Sequence, residues 1–224
     1  MTGPHDDVTA HAVSFVNFAM RVRFLIAAAV VLLVVGVGTL LALRAQTEPS
    51  RPPGLPVIAD LGGDFELSRA GGKRVRLQDY RGRVVLLFFG YTYCPDVCPT
   101  SLYTLKVAMD GLGPAADQVQ VVMITVDPER DSPDHLQQYV RYFHPQFLGL
   151  GGTTNEIEKA ARQYHVYHEK GKSLPGGGNL VNHSAYIYLL DKQGKVRALF
   201  GAGAKPEDLA DGVRQLLQEA TAGN

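Results

Sequence analysis

Val84-Val85-Leu86-Leu87-Phe88-Phe89 runs directly into Gly90-Tyr91-Thr92-Tyr93-Cys94-Pro95-Asp96-Val97-Cys98-Pro99. The first six residues are a continuous apolar run, the pattern of a strand buried on both faces of a sheet. The next ten contain both cysteines of the chain. A helix-like pattern follows. A strand therefore delivers two thiols to a sheet edge, and a helix N-terminus begins at the second. Unpaired N–H groups at a helix start favour an anion and lower a thiol pKa. A thiolate is both the nucleophile of disulfide exchange and a soft ligand for Cu(I) or Zn(II). This stretch points to redox chemistry, soft-metal chemistry or both.

The surrounding periodicities give the fold. Phe65/Leu67 and Val75/Leu77 alternate around Gly71-Gly72, which reads as a hairpin. Pro99 is expected at the first position of a helix whose stripe is Leu102, Leu105 and Met109. Val119 to Val126 is a second buried strand. Ser132-Pro133 reads as an N-cap with proline at N1, and Thr153 with Glu156 as a capping box. Ala185 to Leu190 and Val196 to Phe200 flank Asp191-Lys192-Gln193-Gly194 as another hairpin, and Leu209, Val213, Leu216 and Leu217 close the chain as a helix. The order is hairpin, β, α, β, α, α, β-hairpin, α. That is a thioredoxin-like α/β layer with an N-terminal β-hairpin and extra helix and loop insertions. Its central strands are parallel through a right-handed crossover.

Residues 57–224 suffice for one domain with a real core and not for two. Ahead of them, Phe24 to Leu43 is apolar and carries no charge. At about 1.5 Å per residue it can cross a hydrocarbon core of roughly 30 Å. It reads as an uncleaved single-pass anchor, longer than a signal-peptide h-region and lacking a good cleavage site at Leu43-Arg44-Ala45. The arginines on its two sides nearly balance. The short tail 1–23 is expected in the cytoplasm. Residues 44–56 form a Pro-rich, semi-stiff tether. The expected location is a bacterial inner membrane, with the domain in the periplasm or outside the cell. Acidic and basic residues balance at 22 each with no basic run, which disfavours nucleic-acid binding.

Topology brings three segments to one edge. In an open parallel sheet, sites form beyond the carboxyl ends of the strands. The strand ending at Phe89 releases Cys94 and Cys98 there, and the strand ending at Val126 releases Asp127-Pro128-Glu129-Arg130-Asp131. A strand from Ala185, antiparallel to these, begins at that edge, so His183 lies near the cysteines. Each feature has a plainer reading: a structural disulfide for the cysteines, a surface histidine, a solvated turn or buried ion pair for Asp127, Arg130 and Asp131. His165 and His168 flank a Gly-rich loop and are read as exposed. Of Tyr91 and Tyr93, one is expected to face the site and the other the core. Both cysteines precede proline, which pushes a residue away from the α conformation, so neither needs to sit on a regular helix. The C-x-x-x-C spacing is wider than a thioredoxin's and leaves room for a metal ion. Two thiolates and an imidazole suit copper: sulfur holds Cu(I), and the imidazole helps the site tolerate Cu(II).

The three segments Gly90–Pro99, Thr125–Asp131 and His183–Leu189 resemble the Sco/SenC family, over about Asp64 to Leu217 and including the anchor. The resemblance implies a membrane-tethered, thioredoxin-fold copper metallochaperone that helps assemble the dinuclear copper centre of cytochrome c oxidase. It implies copper ligation by Cys94, Cys98 and His183. Its implied partners are the oxidase copper-site subunit, a copper-donor chaperone and a thiol reductant. Two alternatives stand beside it: a thiol-disulfide reductase using Cys94 and Cys98 as a redox-active pair, and a redox or copper sensor. The residue before the histidine is often Asp in the family and is Asn182 here. The Gly-rich stretch from Lys170 to Asn179 is expected to be a variable loop insertion. No proline stands at the His183 position, unlike in thioredoxins.

Overall fold

The computed structural model describes residues 26, 28–40, 54–173 and 179–221. The chain divides into two units, Met1–Pro53 and Gly54–Asn224. Of the first unit, a helix α1 over residues 28–40 is described, and all its residues are exposed. Among the described residues no helix is long and apolar enough to cross a membrane. Both ends of the expected span 24–43, the tail 1–23 and most of the tether 44–56 lie outside the described residues.

The second unit is built on a five-stranded sheet of order β5 (Leu148–Leu150), β4 (Val119–Thr125), β3 (Val84–Gly90), β8 (Ile187–Leu190), β9 (Val196–Phe200). Its centre is β3 (Val84–Gly90), buried at all seven positions, and β4 (Val119–Thr125), likewise buried throughout. They pair in parallel, Val84 opposite Val119 and Gly90 opposite Thr125. The connection between them is α2 (Val97–Leu112) and a short 3-10 helix. On the other side β3 pairs antiparallel with β8 (Ile187–Leu190), which turns through Asp191–Gly194 into β9 (Val196–Phe200). The outer strand β5 (Leu148–Leu150) pairs in parallel with β4. β3, β4 and β8 are the continuous apolar runs of the sequence, and burial on both faces is what such runs require.

Helices cover the sheet. In α2, Leu102, Leu105 and Met109 are buried as one stripe. The helix α3 (Pro133–Phe143) starts at Ser132, whose side chain accepts from the His135 N–H, with Pro133 at N1. In α4 (Thr154–Gln163), Thr153 and Glu156 form the reciprocal capping box. The last helix is α5 (Pro206–Thr221), which lies beside α2. The N-terminal hairpin pairs β1 (Glu66–Ser68) with β2 (Arg74–Arg76) and joins the rest through the bridge of Ser68 to Gly151. The architecture is thioredoxin-like.

Three sequence expectations need correction. The helix after the cysteines begins at Val97, so Pro99 is its third residue and Cys98 its second. Proline is tolerated anywhere in the first turn because those N–H groups have no intrahelical partner. The strand expected from Ala185 begins at Ile187. The stretch taken as a loop insertion forms arms of an antiparallel hairpin, β6 (His168–Ser173) with β7 (Asn179–His183), around the undescribed residues 174–178.

At the start of the second unit, Leu55 is clamped. Its N–H donates to Glu219 and its carbonyl accepts from Arg197, whose guanidinium also meets Asp191 and Glu219. Arg197 is on β9 next to Val196, which pairs with Leu190, and Leu190 pairs with Val85. This clamp therefore sits at the amino end of β3, opposite the end that releases the cysteines.

Gly90 ends β3 where the cysteine loop begins. A Cβ there would lie 2.6 Å from Phe88 Cε1, 3.0 Å from Cys98 Sγ and 3.0 Å from Met123 Cε. Gly90→Ala is expected to destabilise the domain by about 1–3 kcal/mol through overpacking, read as a lower midpoint in urea denaturation.

Candidate metal centre

Strand β3 ends at Gly90 and the chain crosses to α2 through residues 91–96. Cys94 lies in that crossing and is half-buried, while Cys98 is buried in the first turn of α2. His183 ends β7, four residues before β8 opens beside the carboxyl end of β3. The ligand atoms of Cys94, Cys98 and His183 all lie within 4.8 Å of one another. Among the described residues this is the group of three thiol, imidazole and carboxylate side chains placed to hold one ion. The structure thus brings together the three residues singled out from the sequence.

The imidazole is oriented from three sides. Its Nδ1 lies 3.1 Å from the Ser184 carbonyl oxygen. A carbonyl can only accept, so Nδ1 carries a proton and Nε2 is the atom turned to the sulfurs, 3.4 Å from Cys98 Sγ. With Nε2 protonated it donates to thiolate; with Nε2 bare it is a ligand. The ring stands edge-on to Tyr91 at 5.7 Å and to Phe88 at 6.3 Å between centroids. The Tyr91 hydroxyl accepts from the Val181 N–H at 3.1 Å, which ties β7 to the segment leaving β3.

The thiols are unequal. The Cys94 thiol is pulled down to about 3, first because Cys98 donates a hydrogen bond to it. Partial burial opposes this, and His183 and the N–H groups of Asp96 and Cys98 add to it. Cys98 is pushed up by holding its proton toward Cys94 and by burial. The two shifts run in opposite directions through one shared hydrogen bond, which favours the thiolate on the more accessible sulfur. Such a site is a nucleophile at neutral pH and a soft anionic ligand.

The neighbouring residues fall out as follows. Asp127 and Arg130 form a largely buried ion pair, and the guanidinium lies over the Tyr93 ring at 4.9 Å and the Tyr91 ring at 5.8 Å. Asp131 is buried. Tyr91 is buried and touches His183, so it faces core and site at once, while Tyr93 is exposed. His165 is exposed as expected, but His168 is half-buried and pairs opposite His183 in the β6–β7 hairpin. Asn182 is exposed and pairs opposite Glu169, so no carboxylate stands at that position. Sequence reasoning missed the Ser184 carbonyl, since a backbone acceptor leaves no mark in residue types. It also missed the Tyr91–Val181 bond, whose only signal was an aromatic with a polar tip leaving a buried strand.

Fold and site define a thioredoxin-like protein with a dithiol–imidazole centre suited to a soft or borderline metal ion. A family model described as SCO1/SenC matches residues 56–218. The chain belongs to the SCO1/SenC family. It is 39% identical over 184 residues to the human mitochondrial SCO2 homolog, covering 80% of this chain and 69% of that one. Among solved structures it is similar to Arabidopsis thaliana ScoI with copper bound, at 38% identity and a TM-score of 0.66, covering 70% of this chain and 99% of that one. It is also similar to yeast Sco1 with copper bound, at 32% identity and a TM-score of 0.65, covering 74% and 95%.

Two outcomes are expected. An ordinary thiol, with pKa about 8.5, loses at least ~tenfold of its alkylation rate between pH 8 and pH 6. The Cys94 pKa is lowered, so its thiolate persists as pH falls. Its rate with iodoacetamide should stay nearly flat over that interval and drop only toward strongly acid pH; mass spectrometry should find the adduct on Cys94 before Cys98. Tyr91→Phe leaves the Val181 N–H without its acceptor, at about 1–3 kcal/mol. Hydrogen exchange at the Val181 amide should accelerate accordingly.

Proposed function

We propose that this chain is a copper metallochaperone that binds one copper ion through Cys94, Cys98 and His183. Its client is the dinuclear copper centre of cytochrome c oxidase, on the subunit that carries it. The observation that carries this reading is the convergence of two sulfurs and an imidazole Nε2 within 4.8 Å. Two thiolates satisfy Cu(I), which accepts two-coordinate sulfur, and the nitrogen donor suits Cu(II). The same metal is bound in the Arabidopsis and yeast relatives. Copper is cargo here. Loading displaces the proton shared by the thiols, and release to the client restores it. Half-burial of Cys94 leaves one sulfur within reach of an acceptor ligand set.

A second reading is favoured by the lowered pKa of Cys94. In it Cys94 attacks a disulfide of the client, one client sulfur leaves as thiolate, and Cys98 resolves the mixed disulfide. The client becomes a dithiol and this chain a Cys94–Cys98 disulfide, which a thiol reductant then reduces. A sensor acting through a partner would use the same two states. For location, the uncharged apolar run Phe24–Leu43 supports a single-pass anchor in a bacterial inner membrane with the domain on the extracytoplasmic side. A copper-donor chaperone on that side is the matching supplier.

The test is copper titration of the reduced full chain, with an expected stoichiometry of one. Cys94→Ser or Cys98→Ser should abolish tight Cu(I) binding; a double variant that still holds copper as tightly would move the site elsewhere. His183→Ala should weaken Cu(II) by at least about tenfold more than Cu(I), leaving disulfide formation largely intact. Cells carrying His183→Ala should fail to assemble the oxidase copper centre. Normal assembly in those cells would select the reductase.

A further inference from the structure

We propose that Asp131 is a positioning residue of the thiol site: through Thr92 it holds the segment entering Cys94 in the open, dithiol arrangement that accepts a metal. Asp131 is 1% exposed. A carboxylate out of water is costly unless hydrogen-bonded. Its two oxygens accept three bonds: from the Thr92 N–H at 3.0 Å, the Thr92 hydroxyl at 2.5 Å and the Thr125 hydroxyl at 2.8 Å. Two of the three go to one residue, 39 positions away in sequence and two before Cys94. A carboxylate serving only its own turn would bond within that turn. Asp131 does so with its N–H alone, to the Asp127 carbonyl at 3.0 Å.

Tyr91 and Tyr93 hold this segment by their rings and by the Tyr91 hydroxyl; the clamp holds Thr92, between them, by its backbone N–H and its hydroxyl. Residues 91–96 are neither strand nor helix. The Cys94 N–H reaches the Tyr91 carbonyl only at 3.4 Å. The anchoring side is firm: Thr125 ends β4, and its hydroxyl also accepts from the Asp127 N–H at 2.9 Å. On the outer side, Thr92 Oγ1 lies 3.1 Å from His135 Nε2 on α3. The Thr92 hydroxyl proton is committed to Asp131, so the ring N–H of His135 is the donor. Thr92 is thus bound from β4's exit loop and from α3 together.

This arrangement favours the separated sulfurs. A disulfide needs them at about 2.05 Å, so closure must move the Cys94 segment or the Cys98 turn. Cys98 is fully buried in the first turn of α2, with its sulfur against Gly90, which leaves the Cys94 segment as the part that moves. Releasing Thr92 lets that segment close, and also makes a metal order it on binding. Both the dithiol and the metal-loaded state should therefore lose ground to the disulfide.

The experiment compares Thr92→Val, Thr92→Ser and Asp131→Asn in the full chain. The dithiol–disulfide equilibrium is measured in dithiothreitol redox buffers, and Cu(I) affinity against a competing bidentate chelator. Thermal melts are recorded for the reduced and oxidised forms. Thr92→Val and Asp131→Asn should each shift the equilibrium about tenfold toward the disulfide, ~30 mV for this two-electron couple, as loss of one charge-assisted bond implies. Cu(I) binding should weaken by about tenfold for the same reason. The reduced form should lose more melting temperature than the oxidised form. Thr92→Ser keeps the hydroxyl and should match the parent chain. Equal losses in both forms with an unchanged equilibrium would make Asp131 merely structural and overturn the proposal. So would a Thr92→Ser variant as impaired as Thr92→Val. If Asp131→Asn does not fold, Thr92→Val decides. The chelator arm rests on the copper reading, whereas the redox equilibrium needs no metal. A parent chain that binds no copper would therefore sink the proposed function while leaving the clamp testable.

Discussion

The pairing of β3 on both sides, parallel to β4 and antiparallel to β8, is the constraint on which the molecule depends. The parallel partner requires a crossover, and the crossover is where the cysteines sit. The antiparallel partner must begin where β3 ends, so whatever precedes β8 arrives at the thiols. That is how His183, 85 residues beyond Cys98, comes to lie 3.4 Å from its sulfur. Neither contact requires any local affinity between the segments concerned. Hydrophobic burial of Val84–Phe89 and its neighbours fixes the sheet, and the site assembles as a geometric by-product.

The site itself pairs unequal thiols with a firmly oriented imidazole. Two thiols close together cannot both ionise freely: the shared hydrogen bond lowers the pKa of the accessible sulfur and raises that of the buried one. The imidazole is fixed by a backbone carbonyl and two aromatic edges, and the Nδ1 partner is that carbonyl, with no side-chain carboxylate there among the described residues. A carboxylate partner would raise the basicity of the ring more than a neutral carbonyl does. The ligand is oriented firmly and polarised weakly.

Much of this was legible in the residues because the central elements carry strong signals. Continuous apolar runs marked β3, β4 and β8, capping residues marked α3 and α4, and the parallel sense of β3 and β4 and the antiparallel sense of β8 followed from connection rules. The three site residues were reached by topology together with the family resemblance. What escaped was held by interactions with weak or no local pattern. β5 is Leu-Gly-Leu, too short to show a period. β6 and β7 contain His168-Glu169-Lys170-Gly171 and Asn179-Leu180-Val181-Asn182, polar stretches that pair with each other, with Val181 held by the Tyr91 hydroxyl. The start of α2 was placed two residues late because proline was assigned to its commonest helical position, whereas Asp96 takes the N-cap. Asp131 looked like a turn residue, since its partners lie on segments far apart in sequence.

The clamp on Leu55 has a mechanical meaning. The chain enters the domain between Arg197 and Glu219, at the amino end of β3. Leu55 is joined there to β9 and to the last turns of α5, and the length of the central strand separates it from the thiols. The entry point and the metal centre are thus opposite poles of one stiff sheet. Loosening the contacts of Leu55 therefore acts at one end of β3, and none of the groups that orient Cys94, Cys98 and His183 lies there.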